Sequence, residues 1–324
     1  MTGTVDLGLD VSAGPGQTVH LTDVTMANAG RAIVADGGVV VLENSTVNGG
    51  VLRVNDKAGS LVRFSGEVTL NAVPWEDPGA GEFQVYNTTT RFLGDYAGGL
   101  PAGYHLVIWS SNTHSAVQLT IPGGVYTNDG RIELRHKGDG WRGYPRLHWQ
   151  GSGTLAGTGE VWMSGAGDWN LLTGETGAEL TIGPDQWVHG RGEIQLAVLN
   201  QGRLEASVNG KELRVAQAVD NQGTLWASNG GILKIQGLLT NTGTVGTQAD
   251  PGAGSCSFVG GVLNTGTIAL GSGTGNWTMT GTVDLGLDVS AGPGQTVHLT
   301  DVTMANAGRA IVADGGVVVL ENST

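Results

Sequence analysis

The sequence predicts an all-β chain folded as a parallel β-solenoid with coils of about 20 residues. Three observations lead there. Glycine supplies 57 of the 324 residues, charged residues only 14%, and Val, Thr and Asn are plentiful; this favours many short strands and tight turns over helices. Asn-x-Gly recurs at Asn28, Asn48, Asn128, Asn200, Asn221, Asn241 and Asn264, with neighbouring spacings of 20, 21, 20 and 23 residues. After most of these glycines, apolar residues sit two and four places on, the period of a strand with one inward face. A module of two or three such strands cannot bury its apolar side alone, so neighbours must stack. An antiparallel sandwich also has regularly spaced strands, but it has no reason to reuse one turn sequence in every coil.

Residues 1–73 read as the first coils, with Ala32/Val34, Val40/Leu42, Leu52/Val54, Val62/Phe64 and Val68/Leu70 as inward pairs. The module is then lost. Trp75, Phe83, Tyr86, Phe92, Tyr96, Tyr104 and Trp109 crowd into the next stretch, which predicts an irregular, aromatic-rich insertion over 74–115. Such an insertion needs a satellite core, and its aromatics could also form a binding surface. Coils resume over 116–278, with Ile132/Leu134, Leu204/Ala206, Leu225/Ala227 and Ile268/Leu270 as inward pairs. The seven asparagines are expected to form a turn ladder, in which residues such as Asn241 and Asn264 take left-handed geometry and link their amides. Gly202, Gly223, Gly243 and Gly266 would permit the bend.

Residues 279–324 repeat residues 1–46 without a single change. Identity at every position implies recent duplication, gene conversion or design. The chain therefore reads as a window on a longer array, one 278-residue unit plus the start of the next. The expected partners are further copies of that repeat, in the same chain or end to end.

Charge and composition exclude several functions. A formal charge of −13, with 16 Lys and Arg spread along the chain, disfavours nucleic acid and anionic membranes. No run of 18 apolar residues is present, so no membrane insertion by this segment is expected. Cys256 stands alone, which rules out an intrachain disulfide and suggests a small buried residue. The histidines show no metal-ligand spacing. "GAGDWN" and "GTGNWT" read as turns, since calcium-binding repeats need tandem copies. No cofactor, metal or catalytic residue is assigned. Glu133, Asp139, Glu160 and Asp168 could include a pair able to cleave a glycosidic bond, although polar residues are ordinary on outward strand positions. Trp141, Tyr144 and Trp149 are candidate contacts for a glycan or partner, because aromatic faces stack on sugar rings, and Trp162, Trp169 and Trp187 add to a possible row.

The segments "LNQGRLEA", "VDNQGTLWASNGGILKIQG", "LLTNTGTV" and "VLNTGTIAL", all between Leu199 and Leu270, resemble the β-strand repeats of large bacterial surface and secreted proteins. These include autotransporter passengers and filamentous-haemagglutinin-type adhesins. The resemblance implies a right-handed β-helix, extracellular or on the cell surface, serving as stalk, sheath, matrix or adhesin shaft. The expectation is thus a structural, non-catalytic repeat protein that forms a rod or fibre. The alternatives are a glycan-binding adhesin using Trp141, Tyr144 and Trp149, and a polysaccharide lyase or hydrolase using Glu133 or Asp139.

Overall fold

The computed structural model describes residues 3–5, 9–76, 81–110, 117–136, 144–165, 169–247, 254–269, 276–286, 288–305 and 308–324. Among them there is no helix, and strands stack in parallel as a β-solenoid of about 12 turns with coils of about 22 residues. The chain divides into two compact units, 1–150 with 164–170, and 151–163 with 171–324.

In the first unit, Val11–Ala13, Ala32–Ala35, Val51–Val54 and Trp75–Glu76 pair side by side. Their register stacks Val11, Ile33, Leu52 and Trp75 into one buried column. A second column runs Leu21, Leu42, Phe64 and Val85. The inward pair near Asn28 is Ile33 and Ala35, not Ala32 and Val34: Val34 lies opposite Arg53 in the ladder. A turn closed by the Arg31 amide donating to the Asn28 carbonyl at 3.0 Å, with Gly30 at φ 72°, uses one residue more than the other Asn-x-Gly turns. That extra residue reverses the facing of the side chains in strand Ala32–Ala35.

The expected irregular insertion over 74–115 is, in its described residues, part of the solenoid. Glu82–Gly94 is a 13-residue strand that pairs in parallel with Leu61–Asn71, and His105–Ser110 continues the ladder to Arg131–His136. Sequence periodicity fails because the register shifts between Val85 and Thr90, where four residues lie opposite one on the neighbouring strand. The bulge takes up the surplus without leaving the sheet. Trp75, Phe83, Phe92 and Tyr96 sit in the coil interior rather than in a satellite core, Trp75 stacking on Phe83 at 4.6 Å, Tyr96 at 4.9 Å and Phe64 at 5.2 Å, whereas the half-buried Tyr86 and Trp109 stack on each other at 5.4 Å. Tyr96 turns its hydroxyl to the Val73 carbonyl at 2.8 Å, which satisfies the buried polar end.

In the second unit a representative coil consists of Glu212–Val215, Val219–Asn221 and Thr224–Ala227. Its core is built from columns such as Leu204, Leu225, Val245 and Ile268, and Leu213, Leu233, Cys256 and Trp277. Cys256 is one rung of that apolar column, and burial pushes its thiol well above the ordinary range, so it stays protonated.

The duplicated segment folds alike in both places. Asp23 and Asp301 share φ 53°, and Asn44 and Asn322 are also left-handed, at 46° and 52°. The Ala32 amide donates to Asp10 at 2.8 Å and the Ala310 amide to Asp288 at the same distance. Ser45 and Ser323 donate to the carbonyls of Leu21 and Leu299 at 2.8 and 2.7 Å. What differs is cover. Ile33 and Leu42 are fully buried, whereas Ile311 is 37% and Leu320 58% exposed.

Candidate functional site

Asn200, Asn221, Asn241 and Asn264 occupy successive rungs of one ladder. Asn200 Nδ2 donates to Asn221 Oδ1 at 2.7 Å, Asn221 Nδ2 to Asn241 Oδ1 at 2.6 Å, and Asn241 Nδ2 to Asn264 Oδ1 at 2.5 Å. The last amide, of Asn264, donates to the Leu285 carbonyl at 2.5 Å. All four side chains are buried, where an unpaired amide is costly. The left-handed geometry expected at Asn241 and Asn264 is absent: both end strands, and the described non-glycine residues with positive φ are Asp23, Asn44, Ala72, Asn229, Asp301 and Asn322.

The glycines of the same turns also work differently from expectation. Gly202, Gly223, Gly243 and Gly266 do not have positive φ. A Cβ on Gly223 would lie 2.2 Å from the Gly202 carbonyl oxygen, one on Gly243 2.2 Å from that of Gly223, and one on Gly266 2.3 Å from that of Gly243. Each carbonyl accepts from the residue after the next glycine: Thr224, Thr244 and Thr267 amides reach Gly202, Gly223 and Gly243 at 2.8 Å. The glycine column therefore serves close approach of successive coils rather than bending. Asn28, Asn48 and Asn128 lie outside this column. Asn48 instead accepts from Asn71 at 2.8 Å, and the Asn28 amide donates to the Asn48 carbonyl at 2.8 Å. Asn128 pairs with Leu100.

Of the aromatic candidates, Trp149 is fully buried and offers no face to a sugar. Tyr144 is half-buried beside Trp169, ring centroids 5.3 Å apart. Trp141, Asp139 and Asp168 lie outside the described residues. Glu133 is buried and bound by its neighbours: His105 Nε2 at 2.9 Å, Arg135 at 2.7 and 2.8 Å, and the Ser164 hydroxyl. Arg135 also pairs with Glu82. Burial by itself would raise the Glu133 carboxyl, but His105, Arg135 and Ser164 outweigh it and hold it well below the usual carboxylate range.

Sequence reasoning singled out neither Trp226 nor the surroundings of Trp187. In the second unit, Trp162, His189, Glu205 and Trp226 succeed one another on an outward column, with Trp187 and Arg203 on the column beside it. Trp187 stacks on His189 at 3.8 Å, and its Nε1 donates to Glu205 at 3.0 Å. His189 meets Glu160 at 3.0 Å, and Arg203 meets Glu205 at 2.8 Å. Trp226 lies over Gly246, whose missing side chain makes room for the ring. The signal was a tryptophan at an outward position three residues after a turn glycine, visible once the register is known.

Fold and ladder together define a parallel β-solenoid, a class of architecture and not an activity. Compared with protein families, characterised proteins and solved structures, the chain has no match.

Proposed function

We propose that this chain is a structural, non-catalytic part of an extracellular or cell-surface repeat protein of the bacterial β-strand-repeat kind. Its coils serve as stalk, sheath, matrix or adhesin shaft, and further copies of the 278-residue repeat extend it. One observation carries the reading: the most regularly repeated residues, Asn200, Asn221, Asn241 and Asn264, are buried and spent on joining coil to coil. Residues repeated for a ligand would face outward. Electron microscopy of chains with one, two and three repeats tests it. Particle length should grow by about 60 Å per repeat at about 4.8 Å per coil; compact particles without a length increment would overturn it.

A second reading, glycan binding, draws on the half-exposed Trp162, Trp187 and Trp226 of the outward face. Aromatic faces flanked by Glu160, Glu205 and Arg203 suit the apolar faces and hydroxyl edges of sugars. Glycan-array binding abolished by Trp187→Ala would favour it.

A further inference from the structure

Two opposite charges share the outward face of the first unit without meeting. Strands Thr18–Thr22, Val39–Glu43, Leu61–Asn71 and Glu82–Gly94 lie side by side, and their register sets His20, Val41, Arg63 and Gln84 in one outward row. Thr22, Glu43 and Ser65 form the row beside it. Arg63 and Glu43 are therefore diagonal neighbours, within reach of long side chains. Each is drawn to a different coil. Arg63 lies on the Tyr86 ring, its guanidinium carbon 3.8 Å from the centroid, and donates through Nε to Gln84 at 3.2 Å. Trp109 backs Tyr86 from beyond. Glu43 turns the other way and accepts from the Thr22 hydroxyl at 3.3 Å. A cleft of about 320 Å³ runs between Thr18, His20, Val41, Glu43, Arg63 and Tyr86. It opens on the side of the stack, since Val41, Arg63 and Tyr86 stand on strands with a neighbour on both sides.

Arg53, Arg91, Arg135, Arg203 and Arg214 each pair with a carboxylate. Among the described residues Arg63 pairs with none. Burial bears on its charge and holds the guanidinium below its ordinary range, although Tyr86 and Glu82 favour the charged form. A half-buried cation without a carboxylate favours an anionic group supplied from outside. Stacking on Tyr86 fixes the plane of the fork, so its remaining N–H groups are set for a carboxylate. Glu43 in the same cleft repels a plain anion, as Arg63 repels a plain cation. A molecule with both charges satisfies the two together, and the cleft's volume, at the small end of ligand sites, limits it to a single small solute. We propose that this cleft binds a small zwitterion such as a free amino acid, its carboxylate on Arg63, its ammonium on Glu43 and its carbon chain over Val41. The site shares no residue with the tryptophan face of the second unit.

The test titrates the full chain with L-alanine, γ-aminobutyrate, propionate and ethylamine, followed by nuclear magnetic resonance at the Tyr86 and Trp109 ring signals. At least one zwitterion should give saturable shifts in the millimolar range. Propionate and ethylamine, similar in size but with one charge each, should bind about tenfold more weakly. Glu43→Gln should weaken the zwitterion about tenfold and strengthen propionate, because the repulsion is gone. Arg63→Lys keeps the charge without the planar fork and should lose most of the affinity for every carboxylate. Unchanged melting of both variants shows that the fold is intact, and the opposite response of propionate and zwitterion to Glu43→Gln is one that a general loosening would not produce. Propionate binding the unaltered chain as tightly as the zwitterions, zwitterion shifts indifferent to Glu43→Gln, or no saturable shift with either zwitterion overturns the proposal.

Discussion

Asn221 receives a hydrogen bond from Asn200 and gives one to Asn241, so its removal strands two buried groups at once. Asn221→Ala should cost about 2–4 kcal/mol, read by urea denaturation, while Gln222→Ala, at the exposed neighbouring position, should stay within about 0.5 kcal/mol. Gly223→Ala should also destabilise, although its φ is not positive, because the new methyl meets the Gly202 carbonyl. A gain in stability, the usual result where Ala fits the backbone, would show that the coils can part. The asparagine column was legible in the sequence because its spacing of 20 to 23 residues is nearly constant. The glycine role was not, since close approach is a property of the next coil and leaves no local signature.

Strand Arg131–His136 carries the buried carboxylate Glu133 among His105, Arg135, Ser164 and, through Arg135, Glu82. A carboxyl held below its unfolded value contributes stability that is full above about pH 4.5 and fades as pH falls toward its folded value. The stability difference between the chain and Glu133→Gln should therefore shrink as pH drops below about 4.5; a difference unchanged from pH 7 to 3 would mean that ionisation at Glu133 is irrelevant. At this scale the reading of 74–115 failed: a three-residue surplus inside a long strand breaks period two, and aromatic crowding looks the same in a coil interior as in an inserted subdomain. The strands at 203–206, 224–227 and 244–247 were legible because each is short and begins after the same turn.

Coil stacks are quasi-one-dimensional, so damage stays near its source. Trp75→Ala, which empties the aromatic cluster of the first unit, should cost about 3–5 kcal/mol there. Amide protection over residues 200–245 should survive it, and a single simultaneous loss throughout the chain would contradict nearest-neighbour behaviour. Whole-chain architecture was readable from repetition, whereas the outward tryptophan face was not, because facing depends on registers that turns such as Asn28–Arg31 alter by one residue. The asparagine ladder also has a sense. Each Nδ2 points toward the next coil, from Asn200 through Asn264 to the Leu285 carbonyl, so the side-chain dipoles add as peptide dipoles do along a helix and polarise one another. Asn200 Oδ1, buried and accepting no hydrogen bond, is the negative pole of this column, and the Leu285 end is the positive one. The stack is thus electrically directional along its interior, a polarity set by uncharged residues that neither salt nor pH can titrate away.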